Sequence, residues 1–184
     1  MLLRRVEKRN AQLRALQAQI NPHFMYNTLQ VIGGMALEKD APEVYSVTLA
    51  LSDIMRYSLN FSKEMVCLEE EVEYLKSYVM IQNERFGGKV QLKLDLEPGT
   101  LKCLIPKLIL QPLAENSFEH GLLEKAGDWI LTVESHITSD GELLICVRDN
   151  GIGFDSERLK QIREKIENDT VKALRSGRSA ILHR

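Results

Sequence analysis

The segment Leu143-Leu-Ile-Cys-Val-Arg-Asp-Asn-Gly-Ile-Gly-Phe154 decides the fold of the second half of the chain. Its apolar start predicts a buried strand, which leads directly into an acidic residue and then into two glycines one residue apart. A carboxylate at a strand end can accept a hydrogen bond from a purine amino group, so Asp149 is a candidate for recognising a base. Gly151 and Gly153 lack a Cβ and let the backbone approach a planar ligand closely. The alternative is a tight turn that ends a strand, in which Asp-Asn-Gly is common.

The sequence around this segment predicts mixed α and β structure from residue 87 onward. Val90–Leu96 alternates apolar and polar side chains, which is typical of a half-buried strand. Two later strands are predicted on either side of a turn at Ser139-Asp140-Gly141. The other predicted elements are strands over Trp129–Ile137 and Leu143–Val147, a helix over Lys107–His120 that Gly121 would end, and a helix over Glu157–Ile166.

The chain from residue 2 to Phe86 has the periodicity of helices. Val6, Leu13 and Ile20 recur every seven residues and indicate a helix with one apolar seam. A second helix is predicted to start at Pro42, which suits a first helical turn. The apolar positions expected to be buried are Val44, Val47, Leu51, Ile54 and Met55 in that helix, and Leu68, Val72, Leu75 and Val79 in a third helix after a break at Asn60-Phe61-Ser62. The acidic residues expected mostly to face solvent in the third helix are Glu69, Glu70, Glu71 and Glu73.

The composition is that of a globular protein without a marked excess of either charge. The 184 residues carry 24 Lys and Arg against 26 Asp and Glu, a net charge of −2. This argues against nucleic acid as the main partner, because phosphate binding needs a cationic surface. The spacing of Cys67, Cys103 and Cys146 fits neither a disulfide framework nor a zinc site, and predicts reduced thiols in an intracellular protein. The sequence also shows neither a membrane span nor a signal peptide.

A proline and a histidine stand together in Gln19-Ile-Asn-Pro-His-Phe-Met-Tyr-Asn-Thr-Leu29. Inside a predicted helix, Pro22 removes a backbone donor at a cost of about 3 kcal/mol, so packing must hold the kink or the kink must be useful. The neutral imidazole of His23 can take a phosphoryl group on a ring nitrogen. The alternative is a histidine that packs at a kinked helix.

A second polar group lies in the segment from Pro106 to Gly121. Its side chains are one, three or four residues apart and can share one edge of a helix. These residues are Glu115, Asn116, Glu119 and His120. The amide oxygen of Asn116 is a hard ligand that suits Mg²⁺ carried by nucleotide phosphates. The alternative is the solvated face of an ordinary amphipathic helix.

Taken in order, these three segments resemble the LytS/YesM-type sensor histidine kinases, whose nucleotide domain is related to those of DNA gyrase, heat-shock protein 90 and the DNA-mismatch-repair ATPases. The resemblance covers roughly residues 13–154. The matching motifs are Pro22-His-Phe-x-x-Asn27, Arg56-Tyr-Ser-Leu59, Tyr78 with Ile81-Gln82 and Arg85-Phe86, Leu110-Gln-Pro-Leu-x-Glu-Asn116 with His120-Gly121, and Asp149-Asn-Gly-Ile-Gly-Phe154. The resemblance implies an α+β protein: residues 1–86 would form a long-helix dimerisation and phosphoacceptor hairpin. Residues 87–184 would form an α/β-sandwich ATP-binding domain, incomplete at its C-terminal end.

The resemblance also implies the roles of the helical residues. His23 would be the phosphoacceptor in a dimeric four-helix bundle, with the kink at Pro22 as a signalling hinge. Asn27 matches a position that helps to dephosphorylate the response regulator in other histidine kinases. The phosphoryl group would pass from ATP to His23 and then to an aspartate of a response regulator.

The nucleotide-binding roles follow from the same resemblance. Asn116 would hold Mg²⁺ on the phosphates of ATP, with His120 nearby. Asp149 would hydrogen-bond the adenine amino group, and Gly151 and Gly153 would line the adenine pocket.

One position distinguishes a kinase from the related hydrolases. Those ATPases place a glutamate, which activates water, four residues before the magnesium asparagine. Here Pro112 occupies that position and cannot act as a base. The residues therefore favour phosphoryl transfer to a histidine.

A second function class remains open, since the second glycine-rich segment of the family is not found after Phe154. In that alternative the chain is a non-catalytic dimerisation and signalling module, a degenerate or truncated kinase. The resemblance implies the cytoplasmic side of the cell membrane as its location, with attachment only through segments upstream of this chain.

Overall fold

A computed structural model describes residues 22–60, 62–123, 125–153 and 155–175, with side chains up to residue 165. Its first part is a helical hairpin of α1 (Pro22–Glu38) and α2 (Pro42–Ser58). Asp40 turns the chain with a φ of 54°, a conformation that Asp tolerates better than most residues. Pro42 opens α2 as predicted, because the first turn of a helix needs no amide donor there. The predicted heptad helix over residues 6–20 and the kink before Pro22 lie outside the described residues.

The segment after the hairpin contains a strand that the periodicity missed. The chain leaves α2 near Asn60, as predicted, and forms β1 (Met65–Cys67) and then α3 (Leu68–Arg85). β1 pairs antiparallel with β3 (Leu104–Pro106), which was also missed. Three residues are too few to reveal an alternating pattern, so neither strand has a sequence signal of its own.

The main sheet has three strands in the order β2-β4-β5. The strands are β2 (Val90–Leu96), β4 (Trp129–Ile137) and β5 (Leu143–Asp149). β2 and β4 are parallel, whereas β4 and β5 form an antiparallel hairpin. The predicted bounds of β2 and β4 are confirmed, and β5 runs two residues further than predicted, so that Asp149 is its last residue.

The connection from β2 to β4 passes through a 3₁₀ turn (Pro98–Thr100), β3, helix α4 (Leu110–Asn116) and a π-helical segment (Ser117–Leu122). The predicted helix over Lys107–His120 was wrong at both ends. At its start, Leu108 has a φ of 60°, which no right-handed helix allows. At its end, Gly121 does not stop the helix, because the chain continues through it in π-helical form. The last helix, α5 (Ser156–Arg175), is longer than the predicted Glu157–Ile166.

One hydrophobic core joins α3, the α4 segment and the sheet. Its fully buried members include Leu68 and Leu75 of α3, Leu110 of α4, and Leu131 and Val133 of β4. The structure therefore has a mixed α+β fold, in which a helix pair precedes an α/β part. The division between residues 86 and 87 stays a prediction; α3, which precedes it, packs in the same core as the sheet.

The hairpin leaves much of its apolar surface uncovered. The expectation of a buried stripe on α2 was wrong at Val44 and Leu51, which are 50% and 38% exposed. Two helices bury only the sides that face each other, whereas the stripe extends beyond that contact. Within the described ranges, no helix combines the length and the apolarity that crossing a bilayer requires.

Candidate functional site

The end of β5 and the π-helical segment meet in a close backbone contact. A Cβ on Gly151 would lie 2.3 Å from the carbonyl oxygen of Gly121, so only glycine fits at position 151. The amide of Ile152 donates to the same carbonyl oxygen at 2.9 Å. Two motifs that are 30 residues apart in sequence therefore form one surface.

Asp149 stands on this surface with its carboxylate exposed. Its Oδ1 accepts a hydrogen bond from the amide of Gly151 at 2.9 Å, which fixes the side chain beside the loop. A Cβ on Gly121 would lie 2.8 Å from the same Oδ1. Gly121, which was predicted to end a helix, thus makes room for the Asp149 carboxylate.

The rest of the loop is held by its neighbours in β4 and by its own conformation. Asn150 accepts a hydrogen bond from the amide of Ile130 at 2.9 Å and donates to the carbonyl of Asp128 at 3.2 Å. Gly153 has a φ of 69°, which favours glycine over any residue with a Cβ. The two glycines are therefore required for different reasons, contact at 151 and backbone conformation at 153. Such a loop is expected both if the segment is only a tight turn at the end of a strand and if it lines an adenine pocket, so its geometry fits either interpretation.

Asn116 and His120 share one continuous helical segment. Asn116 is the last residue of α4, and His120 lies one turn later in the π-helical segment; both side chains are exposed. This segment and α4 both lie against β5. The structure thus brings Asn116, His120 and Asp149 to neighbouring elements at one end of the sheet.

The donors at this end fit a nucleotide better than a free metal ion. In residues 22–60, 62–123, 125–153 and 155–175 there is no cluster of three or more His, Cys, Asp and Glu side chains that could hold a metal. An amide oxygen alone, such as that of Asn116, suits Mg²⁺ whose other ligands are phosphate oxygens and water. The exposed carboxylate of Asp149 is an acceptor that suits the amino group of a base.

His23 lies in the first turn of α1 and is exposed. Its Nδ1 is 3.3 Å from the amide nitrogen of Asn27, one turn later, so Asn27 restrains the imidazole ring. This contact occupies Nδ1 and leaves Nε2 accessible. In the described ranges His23 makes no hydrogen bond with the loop after Asp149, and α1 makes its main contacts with α2.

A polar residue that the sequence analysis misplaced is Glu71 of α3. It was expected at the solvent rim but is fully buried. Its carboxylate accepts hydrogen bonds from the hydroxyl of Tyr57 and from the backbone amides of Leu108, Ile109 and Leu110. The sequence did hold a signal, since position 71 is three residues after Leu68 and four before Leu75, on the buried face of the helix.

Three tyrosines beside this region keep their protons more firmly than usual. Burial, together with the hydrogen bond to Glu71, raises the pKa of Tyr57. Burial also raises the pKa of Tyr74, and burial and the nearby Glu115 raise the pKa of Tyr78 to about 12. These hydroxyls therefore remain hydrogen-bond donors at neutral pH.

The chain is similar in sequence to known histidine kinases. The sequence pattern of the histidine kinase family matches residues 11–90. Sensor histidine kinase YesM of Bacillus subtilis is 36% identical over 152 residues, which are 83% of this chain and 26% of that protein. Sensor protein kinase HptS of Staphylococcus aureus is 36% identical over 163 residues, 88% of this chain and 30% of that protein. The chain thus spans less than a third of the length of either relative.

Among solved structures, the histidine kinase domain of a blue-light-activated kinase of Erythrobacter litoralis aligns with a TM-score of 0.40 and 15% identity. The alignment covers 83% of this chain and 75% of that domain.

Proposed function

Because this chain belongs to the histidine kinase family, we propose that it is the transmitter region of a two-component sensor kinase. It transfers the γ-phosphoryl group of ATP to His23, and from there to an aspartate of a response regulator. The observation that carries the proposal is the contact between the π-helical segment at Gly121 and the loop that follows Asp149. This contact holds an exposed carboxylate at the end of β5, next to the helical segment that carries Asn116 and His120.

The residues at the end of the sheet bind and orient the nucleotide. Asp149 accepts a hydrogen bond from the adenine amino group, and Gly121 and Gly151 hold its carboxylate in place by packing against it and against each other. Asn116 offers its amide oxygen to Mg²⁺, and His120 lies near the phosphates. Bound Mg²⁺ neutralises charge on the phosphates and so lowers the barrier to phosphoryl transfer.

Asn27 prepares the nucleophile. An amide can turn either its oxygen or its nitrogen toward the ring. In the structure the amide nitrogen of Asn27 faces Nδ1. When the amide turns by about 180° and presents its oxygen, Nδ1 carries the proton and donates it to that oxygen. The lone pair then lies on Nε2, which is exposed and forms the bond to phosphorus as ADP leaves.

The partners in this proposal are a second copy of the chain and a response regulator. The hairpin supports the first of these, because it exposes large apolar side chains along both helices. These side chains include Ile32 and Met35 of α1 and Leu49 of α2. Pairing two hairpins into a four-helix bundle would cover them. A response regulator would approach His23 after phosphorylation. The place of action in this proposal is the cytoplasmic face of the membrane.

Labelling tests the proposal directly. Incubation with Mg²⁺ and γ-labelled ATP should give an acid-labile label that is lost in His23→Gln and kept in His136→Gln, a matched change at an exposed histidine on β4. Label that persists in His23→Gln would overturn the phosphoacceptor assignment.

The exposed apolar surface of the hairpin also favours a second function, a dimerisation and signalling module without catalysis. It predicts dimers that do not bind nucleotide. A rise in melting temperature with Mg²⁺ and ATP that Asp149→Asn abolishes would reject it, because a ligand that binds only the folded state must stabilise that state.

A further inference from the structure

The buried carboxylate of Glu71 lies where three helices meet. From α3 it reaches the hydroxyl of Tyr57 in the last turn of α2 and the three amides that precede and open α4. All four partners are donors, so both oxygens act as acceptors, which is the role of an ionised carboxylate. One side chain thus ties the hairpin that carries His23 to the helix that ends at Asn116.

A second tie runs between the same two elements. Lys107, just before α4, donates from Nζ to the backbone carbonyls of Tyr57 and Asn60 at the end of α2. The cation also lies 4.6 Å from the centre of the Tyr57 ring. A lysine at the carboxyl end of a helix satisfies carbonyls that have no partner within the helix. Burial lowers the pKa of Lys107, and the Glu71 carboxylate opposes that effect.

A third line of hydrogen bonds follows the same direction. The hydroxyl of Tyr74 on α3 donates to Gln111 of α4 at 2.5 Å, and Gln111 donates to Glu115 at 2.6 Å. Ser58, at the end of α2, lies 3.5 Å from the Tyr74 hydroxyl. Glu115 immediately precedes Asn116. These contacts therefore lead from the end of the hairpin to the proposed magnesium ligand.

We propose that Glu71 is a positioning residue, which with Tyr57 and Lys107 holds the phosphoacceptor hairpin at a fixed orientation to the Asn116 helix. This inference deepens the proposed function and rests on it for its effect on catalysis. The geometric reason is that the hydrogen bonds of Glu71 and Lys107 join α2 to α3 and to the start of α4, so removing them loosens the attachment of the hairpin. Phosphoryl transfer depends on such positioning, because the two reacting groups sit on separate elements.

The variants that test this separate the two sides of the network. Tyr57→Phe with Lys107→Met removes the ties of Glu71 and Lys107 to α2. It leaves the contact between Ser58 and Tyr74 and the three backbone amides bonded to Glu71. Glu71→Gln disturbs both sides. A glutamine side chain has one acceptor oxygen and an NH₂ group that only donates, so it cannot accept all four hydrogen bonds. Glu73→Gln is the matched control, an exposed acid on the same helix.

The first measurement needs no catalytic activity. Spin labels are attached to ketone-bearing residues at two exposed positions, 38 in α1 and 93 in β2, and report the distance between the hairpin and the sheet. An excess of unlabelled chain ensures that the two labels measured lie on the same molecule. We expect the distance distribution to broaden about twofold in the Tyr57→Phe/Lys107→Met variant and to stay unchanged in Glu73→Gln. An unchanged distribution in a double variant that still melts cooperatively would overturn the inference, even if Glu71→Gln fails to fold.

The second measurement is the rate of His23 labelling. In the double variant we expect kcat to fall about tenfold while KM for ATP stays within about twofold, because the nucleotide site is untouched. Glu71→Asp should restore part of the loss seen in Glu71→Gln. A raised KM with unchanged kcat would contradict a positioning role. If the unaltered chain takes no label at all, the proposed function fails. The distance measurement then still shows whether Glu71, Tyr57 and Lys107 fix the orientation of the hairpin.

Discussion

Replacing Gly151 with alanine tests the contact on which the proposed nucleotide site depends. The new Cβ would meet three backbone atoms of Gly121, at 2.3, 2.4 and 2.6 Å. An ordinary contact between carbon and oxygen is about 3.3 Å or more. The loop must therefore move by about 1 Å, since backbone atoms cannot rotate away as a side chain can.

The cost of this substitution follows from two terms and one offset. Forcing an extra methyl into a packed contact costs about 1–3 kcal/mol. A 1 Å shift also breaks the hydrogen bond from Ile152 to Gly121, worth about 0.5–1.5 kcal/mol. Alanine also lowers the conformational entropy of the unfolded chain, which stabilises the folded variant by about 0.4–1 kcal/mol. At the midpoints of these ranges the net loss is about 2 kcal/mol, which lowers the melting temperature by about 4–8 °C for a chain of this size.

Thermal melting with and without Mg²⁺ and ATP measures both consequences. Gly151→Ala should melt earlier and show no shift with nucleotide, because the base-binding surface has moved. Gly34→Ala is the control: nothing lies within 4 Å of its Cβ in helix α1, and it should gain about 0.5–1 kcal/mol. A Gly151→Ala variant as stable as the original chain would refute the reasoning.

Three further experiments have distinct expected outcomes. Gly121→Ala should cost less than about 1 kcal/mol in stability, because its Cβ displaces the Asp149 side chain and no backbone. It should nevertheless remove the rise in melting temperature with nucleotide. Normal nucleotide binding by this variant would exclude this account. Leu131→Ala in the core should cost about 2–5 kcal/mol in urea unfolding, against less than about 1.5 for Leu94→Ala on the exposed side of β2. The free energy of unfolding should fall as pH rises above about 10, because unfolded tyrosine then loses a proton that folded Tyr57 keeps, and Tyr57→Phe should flatten this fall.

The sequence predicted the strands well because their patterns are long. The alternation over Val90–Leu96 and the turn residues before Leu143 define a register that burial of one sheet face enforces. The three-residue strands β1 and β3 have no such pattern and are fixed only by pairing with each other. The apolar stripe of α2 was misjudged because periodicity shows that a face will be covered, but not whether the same chain covers it.

The candidate site was predicted residue by residue, whereas its internal connections were not. Asp149 at the end of β5 followed from an apolar run that stops at an acid. Its contact with Gly121 depends on how the α4 segment packs against β5, which no local pattern encodes. Glu71 was missed because acidic residues are rarely fully buried, and only its donors near Leu108 explain the exception.

The two glycine motifs of this chain are best understood as one physical unit. Gly121 has no side chain so that Asp149 can occupy that volume, and Gly151 has none so that its backbone can contact Gly121. A methyl at either position acts on the same carboxylate, directly at 121 and through the loop at 151. Their effects should therefore not add: the double variant should bind nucleotide no worse than either single one, and its loss of stability should differ from the sum of the two single losses, because both methyls act on one contact.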